Sequence, residues 1–214
     1  MSKHLLAALA TLPMVAVLRG LTPERAAPVG HALVRGGFTA LEVTLNSERA
    51  TDSVAVMRAA LSSRIAVGAG TVLSVDDVGR AIDAGAEFLV MPNLNEAVMR
   101  AGRQANVGLM PGVFTPSEAF SALELGATVL KLFPADALGV AGLRALRAVL
   151  PKPMGRIYPV SGIDVDTMAH WVDAGADGFG IGGSLFKPSY TDGEIEARAF
   201  ALVSKCKQLM GIEA

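Results

Sequence analysis

The sequence predicts an α/β protein, a single (β/α)8 TIM barrel with an extra N-terminal helix, and three observations predict it. Eight short apolar runs alternate with longer amphipathic segments. Several of those segments stop alike, on glycine just before the next run. The 214 residues contain no linker or low-complexity stretch, so a single domain spanning 1–214 is expected.

The apolar runs are Met14–Leu18, Leu41–Leu45, Ile65–Val67, Phe88–Met91, Val107–Met110, Thr128–Phe133, Ile157–Val160 and Gly178–Ile181. Each is short and rich in Val, Leu or Ile, as parallel strands buried on both faces are. Helix-like stretches between them include Pro23–Arg35, Val75–Ala84, Glu96–Gln104, Ser117–Leu125 and Asp164–Ala174. Thr22-Pro23-Glu24 offers an N-cap threonine followed by a first-turn proline, and Thr115-Pro116-Ser117-Glu118 adds a capping-box glutamate. Gly36-Gly37, Gly85, Gly126 and Gly175 supply the stops. The result is a weak repeat of roughly 20–25 residues, the length of one compact βα unit. Leu5–Leu12 reads as the extra helix and Glu194–Met210 as the last one. An open doubly wound sheet is the alternative. Eight runs without G-x-G-x-x-G after the first favour the barrel.

Composition excludes several functions. Hydrophobic residues at 51% can fill one large core, and a net charge of −1 without a basic block or acidic tail argues against nucleic acid or an anionic membrane as partner. The apolar stretch Leu5–Leu18 is too short to span a bilayer, has only Lys3 as a charged side chain before it, and is followed by no small-residue cleavage site. The single Cys206 rules out an intrachain disulfide and fits a reducing cytoplasm. His4, His31 and His170 stand far apart, so no zinc pattern, no metal and no cofactor are expected.

In a barrel, chemistry belongs at the C-terminal ends of the strands. Three apolar runs carry a charge inside or just after them: Arg19 after the first, Glu42 in the second and Lys131 in the sixth. Alternation along Val129-Leu130-Lys131-Leu132-Phe133 sets Lys131 on the opposite face from Leu130 and Leu132, pointing inward. Apolar surroundings disfavour its ammonium form, and a neutral amine can attack a carbonyl to form an imine. Glu42 would carry the protons that imine chemistry moves. The competing reading is a purely structural Lys131–Glu42 pair. Gly178-Phe179-Gly180-Ile181-Gly182-Gly183-Ser184 ends the eighth run and opens the short segment Leu185-Phe186, where barrels bind phosphate on backbone N–H groups. Ser161-Gly162 completes the usual pair of loops. Tight turns alone would also use these glycines. Gly68-Ala69-Gly70-Thr71 and Met110-Pro111-Gly112-Val113 keep the mouth open, and the Thr71 hydroxyl could bind a carboxylate; turn chemistry explains both equally well.

Leu41-Glu42-Val43-Thr44-Leu45, Val67-Gly68-Ala69-Gly70-Thr71-Val72-Leu73, Met110-Pro111-Gly112 and Leu130-Lys131-Leu132-Phe133-Pro134-Ala135 resemble the family of 2-keto-3-deoxy-6-phosphogluconate and 6-phosphogalactonate aldolases, in order from about Val15 to Phe186. The resemblance implies a homotrimeric class I aldolase on a (β/α)8 barrel, cleaving a phosphorylated keto acid to pyruvate and glyceraldehyde 3-phosphate. It assigns the Schiff base to Lys131, proton transfer to Glu42, the pyruvate carboxylate to Thr71 and the phosphate to Gly162, Gly182 and Gly183, with Ser184 beside them.

Several stretches resemble the galactonate branch in particular, among them the first strand end Val17-Leu18-Arg19-Gly20 and the Ser117-Glu118-Ala119-Phe120-Ser121-Ala122-Leu123-Glu124 helix. The gluconate branch often reads L-E-V-T-L-R-T, with the arginine helping to hold the carboxylate; here Leu45-Asn46-Ser47 follows, which leaves Arg19 to supply positive charge and Asn46 to contribute selectivity. The seventh run ends Pro159-Val160-Ser161-Gly162, where the gluconate branch reads P-T-G-G and the galactonate branch V-G-G. Val160 sides with galactonate. Ser161 departs from both and stands where the family has a glycine beside the phosphate. The other readings are a phosphosugar isomerase or decarboxylase on a related barrel, whose acid/base set or His-ligated metal is not found, and a non-catalytic sugar-phosphate-binding barrel, against which the intact Glu42 and Lys131 count.

Overall fold

Alternating runs and amphipathic stretches assemble into two parallel sheets backed by helices. The computed structural model describes residues 3–213. In chain order the elements are α1 (Lys3–Thr11), β1 (Met14–Leu18), α2 (Pro23–Arg35), β2 (Ala40–Thr44), α3 (Ala50–Ala60), β3 (Ala66–Gly70), α4 (Val75–Asp83), β4 (Phe88–Val90), α5 (Glu96–Gln104), β5 (Gly108–Met110), β6 (Gly112–Val113), α6 (Pro116–Glu124), β7 (Val129–Leu132), α7 (Ala135–Val149), a 3-10 turn (Lys152–Met154), β8 (Arg156–Pro159), α8 (Met168–Asp173), β9 (Phe179–Ile181) and α9 (Asp192–Met210). No helix of the described residues is long and apolar enough to cross a membrane.

One sheet has the order β5-β4-β3-β2-β1-β9 and the other β6-β7-β8, with every pairing parallel. Val160, just after β8, bridges Gly180 of β9 in parallel. Between β5 and β6 lies only Pro111, which has no N–H to give to the ladder. Its carbonyl still accepts the Lys131 N–H at 2.9 Å.

Register fixes which side chains share a level. Val17, Glu42, Gly68, Phe88 and Gly108 are successive partners across the first sheet, and Gly112, Lys131 and Tyr158 across the second. The larger apolar cluster lies between strands and helices and takes Leu41, Val43, Leu130 and Leu132. The smaller one takes the opposite strand faces, with Val15, Ala66, Phe88, Val129 and Tyr158, and is closed by Leu5, Ala8 and Leu9 of α1. Those three α1 residues stand at i, i+3 and i+4, one face of a helix. A Cβ on Gly108 would lie 2.8 Å from Leu5, so α1 seats directly on β5.

The helix punctuation follows the sequence. Thr115 and Glu118 form a reciprocal capping box, while Thr22 makes no side-chain cap bond and Pro23 opens α2. Gly37, Gly85, Gly126 and Gly175 all take left-handed backbone (φ +99, +90, +89 and +103), the conformation a helix stop needs. Some boundaries differ. β3 runs past Val67 to Gly70. The helix expected from Asp164 begins only at Met168, because Asp164 first accepts the N–H groups of Asp166 (3.1 Å) and Thr167 (2.8 Å) and forms a turn. The segment at Leu185–Phe186 is one turn, with both N–H groups bonded to the Gly182 carbonyl, and not a helix.

Candidate active site

Two charged groups sit in the middle of buried strands. Glu42 and Lys131 are 1% and 5% exposed. Glu42 has room because the neighbouring strand offers glycine: a Cβ on Gly70 would lie 2.8 Å from the Glu42 carboxyl carbon. Neither Glu42 oxygen has a hydrogen-bond partner among the described residues. Neither Glu42 nor Lys131 belongs to a close ion pair among the described residues, although each lies in the electrostatic field of the other. A buried polar group without a partner is costly and calls for an explanation.

Their acidities follow from that burial. Desolvation pushes the Glu42 carboxyl up to about 7, against the opposing pull of Lys131 and Arg19. The same effect holds the Lys131 ammonium below the ordinary lysine range; Glu42 raises it and Arg19 lowers it further. The Lys131 Nζ lies 4.8 Å from the centre of the Phe133 ring.

Phe133 in turn lies on the wall of a cleft of about 610 Å³, together with Val160, Ser161 and Arg19. Six of the expected residues lie on it: Arg19, Val160, Gly162, Gly182, Gly183 and Ser184. Gly180 has no side chain where a Cβ would meet Val160 at 2.6 Å. The Ser184 hydroxyl donates to the Ile163 carbonyl at 2.7 Å and so ties the loops after β8 and β9 together. Beyond it, Arg25 donates to the Pro188 carbonyl at 2.9 Å and pairs with Asp192 at 2.6 Å, which straps this loop across the end of β1.

Four expected residues are not on the cleft wall: Glu42 and Lys131, buried within β2 and β7, and Asn46 and Thr71. Asn46 is exposed, and Thr71 is half-buried at the end of β3 with φ +57, a strained conformation for a β-branched residue. Ser47 Oγ accepts the Gly20 N–H at 2.8 Å and lies 3.1 Å from Thr44 Oγ1, which fixes the turn that follows Arg19. Sequence reasoning missed Ser47 and Phe133: a serine whose partner is a backbone N–H 27 residues away leaves no local pattern, and Phe133 reads as one more apolar strand residue. Among the described residues no three His, Cys, Asp or Glu side chains gather to hold a metal ion.

A buried, electrically coupled lysine and carboxyl in a parallel α/β architecture, close to a glycine-walled cleft, is the arrangement that imine chemistry on a carbonyl substrate requires. Comparison with known proteins agrees and narrows it. The family model "KDPG and KHG aldolase" matches residues 5–205, and the chain belongs to that family. It is 40% identical to a probable 2-dehydro-3-deoxy-6-phosphogalactonate aldolase of Rhizobium meliloti, over 93% of both chains. It is 35% identical to the 2-dehydro-3-deoxy-6-phosphogalactonate aldolase of Escherichia coli K12, over 92% of this chain and 96% of that one. A solved structure described as native KDPGal superposes with a TM-score of 0.90 at 34% identity, covering 94% of this chain and 97% of the other.

Proposed function

We propose that this protein is a class I aldolase that cleaves 2-dehydro-3-deoxy-6-phosphogalactonate to pyruvate and glyceraldehyde 3-phosphate through a Schiff base on Lys131. The observation that carries the reading is the buried Lys131, lowered in basicity, within the field of a buried carboxyl whose two oxygens are unpartnered. The substrate follows the names of the two relatives above. The neutral Lys131 amine adds to the keto carbon, a proton from Glu42 leaves with the hydroxyl as water, and the protonated imine remains. Glu42, titrating at about 7, takes the proton of the C4 hydroxyl. The C3–C4 bond then breaks, its electrons pass to the imine as an enamine, and the aldehyde leaves. Protonation of the enamine at C3 by Glu42 and hydrolysis release pyruvate and free Lys131.

Arg19 supplies positive charge at the mouth, Thr71 takes the pyruvate carboxylate, Asn46 and Val160 bear on selectivity, and Gly162, Gly182, Gly183 and Ser184 hold the phosphate. We read the two sheets as one closed (β/α)8 barrel within a single domain, 1–214, with α1 as the extra helix. The Val160–Gly180 bridge and the continuity through Pro111 support closure. A cytoplasmic homotrimer without cofactor is the assembly we assign. The test is kcat/KM on both C4 epimers. The galactonate epimer is expected to be a good substrate and the gluconate epimer at best comparable; strong preference for gluconate overturns the substrate assignment.

A further inference from the structure

Two serines line the cleft, and their hydroxyls are in different situations. The Ser184 hydroxyl is committed to the Ile163 carbonyl at 2.7 Å. The Ser161 hydroxyl makes no hydrogen bond among the described residues. Ser161 also holds φ +95, a conformation that favours glycine, and Gly162 follows it at φ +71. A serine kept in left-handed backbone is strained, and strain retained on a cleft wall points to a use for the side chain. Gly182 and Gly183 line the same cleft, and added Cβ atoms there would meet nothing closer than 3.9 Å, so the cleft is open beside the glycines.

We propose that Ser161 is a specificity-determining residue, whose hydroxyl donates a hydrogen bond to the phosphate of the substrate. The proposal rests on the aldolase reading above and adds to it a side-chain donor in the phosphate loops that is not already spent. A hydrogen bond to a charged group is strong enough to show as roughly a tenfold change in binding.

Two substitutions separate hydroxyl from strain. Ser161→Ala removes the hydroxyl and keeps the strained backbone; Ser161→Gly removes both. Three quantities are measured for each: KM for the phosphorylated keto acid relative to KM for pyruvate in proton exchange, the dissociation constant for inorganic phosphate, and Tm. Both variants are expected to raise the KM ratio roughly tenfold and to weaken phosphate binding similarly. Ser161→Gly alone should raise Tm, by roughly 2–4 °C. Unchanged phosphate affinity and KM ratio in both variants overturn the proposal. If the wild type exchanges no pyruvate protons, the aldolase reading fails, and phosphate affinity alone still decides Ser161: weaker binding in both variants supports it, equal binding overturns it.

Discussion

The two ends of the strands treat charge in opposite ways. At the N-terminal ends the carboxylates are shared out among partners. Glu87 accepts from Arg58 at 2.7 Å and the Val67 N–H at 3.0 Å, and meets His4 at 2.7 Å. Asp177 takes Arg147 and the Ile157 N–H, with Lys152 at 3.7 Å. Within β2 and β7, with the Glu42 carboxyl beside Gly70 at the C-terminal end of β3, Glu42 and Lys131 are buried with neither ion pair nor carboxylate hydrogen bond among the described residues. One end uses ionic groups to fasten α1, α3 and α7 to the strands. The other keeps them reactive at a cost in stability, as functional sites do.

The difference can be broken from either end. Glu42→Gln should slow turnover by roughly 10²–10⁴-fold, the range for general acid–base catalysis, and keep the fold; steady-state kinetics beside circular dichroism reads both. A variant that unfolds while its activity per folded molecule stays near wild type would make Glu42 structural. Asp177→Ala should do the reverse. It leaves the half-buried Arg147 unpaired and should cost about 3 kcal/mol in urea unfolding, with kcat per folded molecule unchanged. A loss under 1 kcal/mol would show that this rim is not where charge stabilises the fold.

Stability against pH sharpens the contrast. Below 4.5 Glu42 is protonated in the folded and unfolded chain alike. As pH rises from 4.5 to about 7 the unfolded chain gives up this proton while the folded one retains it, so the native state loses stability. Relative to Glu42→Gln, the wild type should lose about 3 kcal/mol across that window; parallel curves would contradict the burial argument. Val160→Thr is a smaller change at the same end. It adds a hydroxyl on the cleft wall and should move the epimer ratio of kcat/KM toward gluconate by about 1 kcal/mol. No movement would remove Val160 from the selectivity argument. Least of all should EDTA matter: turnover lost to EDTA and restored by zinc would overturn the class I reading.

Much of this was legible because a charge inside an apolar run is conspicuous. Glu42 and Lys131 announce themselves in Leu41–Leu45 and Thr128–Phe133, and the glycine stops mark the unit length. Other features depend on distant chain segments. Gly70 reads as a turn residue, yet its missing Cβ houses the Glu42 carboxyl. Ser47 acts through the Gly20 N–H, and the capping boxes at Ser74–Asp77 and Thr191–Glu194 passed unread beside the one at Thr115. Asn46, which the family resemblance connects with selectivity, is exposed and off the cleft wall.

The central claim is that Lys131 is a nucleophile and not a structural cation. Incubation with pyruvate and borohydride, followed by peptide mass spectrometry, tests it most directly. The account predicts one reduced pyruvate adduct per chain, on Lys131, absent in Lys131→Ala. An adduct on another lysine, or none while the enzyme turns over, would contradict it.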